Sequence, residues 1–216
     1  MLTLRGWSLP RIGPFRRQLQ GLGTRRWYSK VINDKEYPDL HWYLQPETTL
    51  PKSTQLTTPV TALLSFHSPR DLNQGEPDER STIGWTTRLD VDALQRNHTA
   101  TLTPDGFIPN ESFMNWVHGL LKDSAHSADP ILSSMAKSVG QGWLHIADER
   151  HPPPYGRIPR PEDIIGSVQV EDGHIVPHSY QPMPSHRLVS PKGLFRLSPD
   201  LHACMMRQFK KDFVDH

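Results

Sequence analysis

The chain has 216 residues, of which 35% are hydrophobic and 22% are charged, and its formal net charge is +1. Its single cysteine, Cys204, excludes an internal disulfide framework and a cysteine-based zinc site. No apolar run approaches the roughly 20 residues that cross a bilayer. The 21 prolines are about double the usual ~5%. We therefore expect a soluble protein with one modest domain, many loops and short secondary-structure elements.

The N-terminal segment differs in charge from the rest of the chain. Residues 1–29 contain six arginines and no acidic residue, whereas the remaining 18 Lys and Arg face 23 Asp and Glu, a net charge of −5. Phe15, Leu19 and Leu22 share one helical face. This pattern is typical of a mitochondrial transit peptide. The sequence Arg-Trp-Tyr-Ser at 26–29 resembles a matrix-processing site, so we predict a transit peptide over residues 1–28 and a location in the mitochondrial matrix.

The alternative for this segment is a basic tail that binds nucleic acid or an anionic membrane. Such tails are usually rich in lysine and lack the apolar spacing seen here. The rest of the chain is acidic, while binding to phosphates requires clustered positive charge. We therefore expect a protein partner and no binding to DNA or RNA.

Residues 29–59 are predicted to form a linker or an extended proline-rich arm. Four prolines punctuate this range, and it shows no sustained periodicity. The sequence His-Trp-Tyr-Leu at 41–44 is too apolar for a simple spacer. We expect it to contact the protein's own core or, alternatively, a partner.

Residues 60–216 are predicted to form an α+β domain whose portion from 90 to 140 is rich in helix. Strands are expected at 60–66 and 83–89, and Asp90 is expected to cap a short helix. Asn110 precedes an apolar stripe that predicts a longer helix, and Asp129-Pro130 begins another. The stripe of the first helix consists of Phe113, Trp116, Val117, Leu120 and Leu121; that of the second consists of Ile131, Leu132, Met135 and Val139.

Residues 141–216 are predicted to contain hairpins and a C-terminal helix. A strand at 143–147 precedes two hairpins, 164–176 and 186–197, with Gly173 and Gly193 in their turns. Ser198 and Pro199 begin the last helix. The predicted fold class is α+β, with a small antiparallel sheet of hairpins packed against helices.

One block of this last third resembles a family of uncharacterised fungal mitochondrial proteins. The block comprises 161–168 (Pro-Glu-Asp-Ile-Ile-Gly-Ser-Val), 170–173 (Val-Glu-Asp-Gly) and 179–188 (Ser-Tyr-Gln-Pro-Met-Pro-Ser-His-Arg-Leu). The resemblance implies a defined domain here and agrees with the mitochondrial prediction. It implies no activity and no cofactor.

His145, Asp148 and His151 are the closest approach to a metal-ligand cluster. The spacing argues against it, because His145 and Asp148 would point to opposite faces of a strand and three prolines follow His151. We expect these residues not to bind a metal.

Arginines and histidines supply the candidates for ligand binding. Arg150, Arg157 and Arg160 lie near Tyr155 and Gly156, and guanidinium groups suit phosphate or carboxylate. Neighbouring acidic residues favour an ion-paired loop instead. If a small anion binds, this loop and Arg187 are the predicted place, with His178 and His186 as the nearest titratable groups. No complete catalytic or nucleotide-binding motif accompanies them, and Cys204 is predicted to be a buried free cysteine on the last helix and not a nucleophile.

Two functions remain open on this sequence. The favoured one is a matrix-imported accessory protein that binds a protein or larger assembly through its proline-rich and aromatic segments. It predicts that deletion of residues 30–59 abolishes partner binding without unfolding the rest. The alternative is a small mitochondrial enzyme with a His/Arg site in the C-terminal sheet region, which single substitutions of His145, His151, His178 and His186 would test. The cofactor and the substrate remain unassigned.

Overall fold

The computed structural model describes residues 28–37, 39–45, 60–72, 77–154 and 157–215. The predicted transit peptide, apart from Tyr28, and the second half of the predicted arm lie outside these ranges. Within them, no helix has the length and apolar content needed to cross a membrane.

The first sheet is a five-stranded antiparallel meander whose strands follow one another in chain order. Trp42, Leu64 and Ile83 are buried on its central strands. Each strand has only three to five residues, since prolines and polar turns interrupt this part of the chain. The strands are β1 (Lys30–Asn33), β2 (His41–Leu44), β3 (Ala62–Ser65), β4 (Thr82–Thr86) and β5 (Phe107–Pro109).

Strands β1 and β2 correct the prediction of an extended arm for residues 30–44. The Trp42 and Tyr43 side chains are each 1% exposed. The Trp42 indole donates a hydrogen bond to Asp34 Oδ2 at 2.9 Å, and the Tyr43 hydroxyl donates one to the His67 carbonyl at 2.9 Å. The aromatic segment contacts the protein's own core because burial of two large rings with paired polar groups outweighs the lack of periodicity.

The second sheet has β7 (Ile164–Glu171) at its centre, paired antiparallel with β6 (Gly142–Ala147), β8 (His174–Ile175) and β9 (Gln181–Pro182). The β7–β8 turn has positive φ at Asp172 (49°) and Gly173 (75°), the geometry of a tight hairpin. A separate hairpin joins β10 (Val189–Ser190) to β11 (Gly193–Leu194). The two predicted hairpins are present, although the second has only two paired residues on each strand.

Four helices complete the domain: α1 (Val91–Asn97), α2 (Glu111–Ala128), α3 (Pro130–Val139) and α4 (Pro199–Phe213). Their N-caps are Asp90, Asn110, Asp129 and Ser198, and each side chain accepts a backbone hydrogen bond from the first turn. Helices α2 and α4 pack together, and the Trp116 indole of α2 donates to Asp212 of α4 at 3.0 Å. The predicted α+β class is confirmed.

A single apolar core runs through both sheets and the helices. Helix α2 buries Phe113 and Val117 completely. Helix α3 differs, because only Leu132 and Ala136 of its apolar face are buried, against β6 and β8. Ile131, Met135 and Val139 of the predicted stripe are exposed instead.

Candidate functional site

Asp148 is the centre of a buried ionic cluster at the end of β6. Its side chain is 1% exposed, that of Arg150 is 4% and that of His186 is 2%. Arg150 donates to Asp148 Oδ2 from Nε at 3.0 Å and from Nη2 at 2.7 Å, and His186 Nε2 donates to the same oxygen at 2.8 Å. The backbone amides of Arg150 and Arg196 donate to the other oxygen, Oδ1, at 3.0 and 3.1 Å. Both oxygens of the carboxylate are therefore satisfied within the protein.

The cluster also fixes the loop that follows β9. The Arg150 guanidinium donates to the carbonyls of Arg187 at 2.7 Å, Leu188 at 3.3 Å and Gly193 at 2.6 Å. An arginine suits this position because its planar fork of donors reaches the carboxylate and the carbonyls at once. Arg150 was predicted as a ligand-binding residue, but its donors are committed to the fold.

Opposing effects act on the pKa of Asp148. Burial alone would raise it, but the hydrogen bonds from His186 and Arg150 and the positive charge of Arg150 hold the pKa below its ordinary value. The carboxylate therefore stays charged and is unsuited to act as a general acid or base near neutral pH.

The residues considered as metal ligands have separate partners. His145 Nδ1 lies 2.8 Å from the Ser167 hydroxyl, and His151 Nδ1 lies 2.8 Å from Asp163 Oδ2. Asp148 is held by Arg150 and His186. In the part of the chain that the structure describes, no group of three or more His, Cys, Asp or Glu side chains is placed to hold a metal ion.

The remaining predicted ligand-binding residues are dispersed. Arg157 and Arg160 are exposed in the loop before β7, and Tyr155 and Gly156 lie outside the described residues. His178 is exposed and pairs with Asp123 of α2 at 3.2 Å. Only His186 and Arg187 face a common concave surface.

That surface is a cleft of about 560 Å³ between α2 and the loop from Pro182 to Val189. One side is formed by a face of α2 next to its buried stripe, and by β5 and the turn before it. The opposite side carries the Pro-Met-Pro corner, His186 and Arg187. The residues that line it are Pro104, Phe107, Pro109, Glu111, Met114, Asn115, His118, Pro182, Met183, Pro184, His186, Arg187, Leu188 and Val189. Its size and mixed lining suit a small organic ligand.

His118 of α2 lines this cleft and is held by Tyr180. The two rings stack with centroids 5.9 Å apart, and His118 Nδ1 lies 2.9 Å from the Tyr180 hydroxyl. That hydroxyl donates to the Ile165 carbonyl at 3.2 Å. Burial, and to a lesser degree the proximity of His186, lowers the pKa of His118. The imidazole is therefore neutral near pH 7.

Gly166 provides the space for Tyr180. A Cβ at position 166 would collide with the Tyr180 ring. A strand glycine commonly marks such a close approach. The glycine in β7 therefore positions Tyr180, and Tyr180 orients His118.

His118 was not among the predicted site residues, although it belongs to a helical pattern in the sequence. Glu111, Met114, Asn115 and His118 follow the i, i+3, i+4, i+7 spacing of one helical face, beside the apolar stripe. The pattern indicates a shared face but not what lies opposite, since Tyr180 is 62 residues away.

A second surface is apolar and exposed. Ile131 is 64% exposed, Met135 47%, Val139 41% and Trp143 48%. The first three lie along one face of α3 at a spacing of four residues, and Trp143 follows four residues later on β6. We call these four residues the α3–β6 surface.

Comparison of the chain with protein-family models, with curated proteins and with solved structures finds no match.

Proposed function

We propose that this protein is an accessory protein that binds a partner protein through the α3–β6 surface. The observation that carries the proposal is the exposure of three apolar side chains along one face of α3 and of a tryptophan on the next element, β6. Grouped exposed apolar residues are typical of protein interaction sites, and tryptophan is enriched among the residues that dominate binding energy.

The backbone of β6 supports the same function. Strand β6 pairs with β7 on one side only, and on its other side no backbone group of the described chain pairs with it. Edge strands are commonly protected by lysine, proline or very short length. The six residues Gly-Trp-Leu-His-Ile-Ala of β6 contain no lysine or proline, and the shift of register against β7 lies between Ile146 and Ala147, at the end of the strand.

The partner that fits is an extended segment of another protein with alternating apolar residues. Such a segment adds to the sheet beside β6, where its backbone makes ladder hydrogen bonds and its side chains contact Trp143. A partner helix could pack on the apolar face of α3, but it would leave the backbone groups at the edge of β6 unpaired. The open edge therefore favours an added strand.

The proposed partner contact lies outside the predicted arm. Trp42 and Tyr43 are buried and provide no surface for a partner. Deletion of residues 30–59 would remove β1 and β2 from the first sheet, so it would test folding and not binding.

The decisive experiment places a photo-crosslinking amino acid at position 135 or 143 of the full chain in intact mitochondria. We expect both positions to yield the same crosslinked protein, whose contact peptide is an extended segment. Ile158 is the matched control, because it is 77% exposed and apolar but lies in the loop before β7. The same crosslinker at position 158 should not capture that protein.

Variants M135E and W143K should abolish the crosslink from the other position, while I158E should leave it unchanged. These side chains are exposed, so folding should be retained in all three variants. Crosslinks from 135 and 143 to unrelated proteins, or an equal yield from 158, would contradict the proposal. Crosslinks to a second copy of this chain would contradict it as well and assign the surface to self-association.

The location in the matrix is part of the same proposal and is supported by the arginine-rich, acid-free residues 1–29. Import of the full chain into isolated mitochondria tests it. Replacement of Arg16 and Arg17 by glutamate should prevent protection from added protease.

A further inference from the structure

The cleft between α2 and the Pro182–Val189 loop shares no residue with the α3–β6 surface. The ionisable residues on its two sides differ in charge. Glu111 and His118 line the α2 side, whereas Arg187 lines the opposite side.

The contact with Tyr180 leaves Nε2 as the nitrogen of His118 that is open to a ligand. The Tyr180 hydroxyl lies 3.2 Å from the Ile165 carbonyl and 2.9 Å from His118 Nδ1, and the tautomer of His118 sets whether Nδ1 donates or accepts. Nε2 has the complementary role in a neutral imidazole, and a ligand hydroxyl, which both donates and accepts, can bind it in either tautomer.

No donor among the described residues contacts His118 Nε2. The guanidinium of Arg187 likewise has no carboxylate partner within the described ranges, although its own backbone carbonyl is bound by Arg150. The ionic cluster thus holds the backbone of Arg187 in place while its side chain remains available.

Apolar side chains occupy the space between these polar groups. Phe107 and Met114 line the α2 side, and Met183 and Leu188 line the opposite side. Methionine adapts to ligands of different shape. A ligand in this cleft therefore needs an apolar body, a group that forms a hydrogen bond with His118, and a negative charge for Arg187.

We propose that the cleft binds a small carboxylic acid with an apolar body and a hydroxyl group. The carboxylate pairs with Arg187, the hydroxyl group binds His118 Nε2, and the apolar body contacts Met114 and Met183. Glu111 lies on the α2 side and favours a donor there over a second carboxylate.

An extended peptide is excluded by the edges that border the cleft. Strand β5 ends at Pro109 and strand β9 ends at Pro182, and proline has no amide to donate to an added strand. The cleft is therefore suited to a small molecule.

The test compares two acids that differ in a single hydroxyl. Binding of phenyllactate and of 3-phenylpropionate to the full chain is measured by NMR titration. We expect saturable binding of both, with phenyllactate about tenfold tighter, because only phenyllactate has a hydroxyl group that can form a hydrogen bond with His118.

Three variants identify the contacts. H118F should lower the affinity for phenyllactate to that for 3-phenylpropionate and leave the latter unchanged. R187Q should weaken both acids about tenfold, whereas R157Q, which alters an exposed arginine outside the cleft, should weaken neither. Y180F should reduce the preference for phenyllactate while binding of 3-phenylpropionate persists, because it removes the hydroxyl that holds His118 at Nδ1.

Four results would overturn the proposal. These are the absence of saturable binding by either acid, equal affinity for the two acids, equal loss of both acids in H118F, and an equal effect of R157Q and R187Q. Each variant is first checked by its NMR spectrum, and E111Q replaces any that fails to fold; it should raise the affinity for 3-phenylpropionate. The crosslinks of M135E and W143K report separately on the partner surface.

Discussion

Helices α2 and α3 are consecutive and both amphipathic, yet their apolar faces have different environments. Helix α2 buries residues at a spacing of four along its length, namely Phe113, Val117, Leu121 and Ala125. Helix α3 buries only Leu132 and Ala136, and the rest of its apolar face meets solvent. Periodicity indicates that a segment is a helix, but the width of the surface opposite decides how much of the apolar face is covered.

The largest expected effect is a difference in the free energy of unfolding between a variant of α2 and a variant of α3. Phe113→Ala removes a fully buried ring that contacts Phe66 and Trp116. We expect it to lower the free energy of unfolding by about 3–5 kcal/mol. Met135→Ala should change it by less than about 0.5 kcal/mol, because Met135 is exposed. Urea denaturation of both variants measures the difference, and equal losses would mean that α3 is covered.

Arg150→Met tests the ionic cluster that supports the cleft. It leaves the buried Asp148 carboxylate with His186 as its remaining side-chain donor and frees three loop carbonyls. We expect a loss of about 3 kcal/mol, near the lower end for a broken buried ion pair because His186 still donates. Denaturation at pH 7 gives the value, and hydrogen exchange should increase most in the 187–193 loop. An unchanged loop would contradict the role assigned to Arg150.

Gly166→Ala tests the α2 side of the cleft without touching the cleft itself. The added methyl group collides with the Tyr180 ring. We expect a loss of roughly 1–3 kcal/mol, as for other overpacked sites. The NMR signals of His118 should shift, while those of α3 should not. Shifts confined to β7 would show that Tyr180 does not orient His118.

The smallest expected effect is a loss of stability in mild acid. This loss should be larger in α2 than in α3. Burial lowers the pKa of His118 and of His67 below the ordinary value of 6.5. An unfolded chain binds protons at these histidines as the pH falls below about 6.5, but the folded chain does not, so stability decreases through that range. Lys137 is the one titratable residue of α3. Hydrogen exchange at pH 7 and pH 5.5 should therefore rise, after correction for the intrinsic rate, in α2 before α3.

Asp148 acts in the same direction as the histidines but in a lower pH range. Its folded pKa lies below the ordinary 3.8, so its contribution is present above about pH 3.8 and is lost as the pH falls below that value. The loss between pH 6.5 and 5 therefore belongs to the histidines, and the Arg150 variant should still show it.

Short-range sequence features predicted the helix N-termini and the tight turn, because these depend on neighbouring residues. Asn110, Asp129 and Ser198 cap the helices that the sequence placed after them, and Asp172 and Gly173 have the positive φ that their turn requires. Strands β1, β2 and β5 were missed. They have only three or four residues, too few for an alternation to be recognised, and are stable because neighbouring strands pair with them.

The site was less predictable than the fold because its contacts join distant residues. His186 and Arg187 were identified as candidates, but His186 binds Asp148 across 38 residues and His118 binds Tyr180 across 62. No short-range sequence pattern indicates either of these two contacts. The exposed side of α3 was unpredictable for a related reason, since apolar residues that face solvent and apolar residues that face the core have the same spacing.

The two edges of the second sheet limit how many strands can be added to it. Strand β6 is six residues long and open, whereas β8 and β9 on the far side have two residues each, and β9 ends in Pro182. A strand that adds beside β6 therefore meets a sheet that cannot extend from its other side. The proposed association through β6 would stop at one added strand per molecule, and the complex would be finite and not a growing fibre.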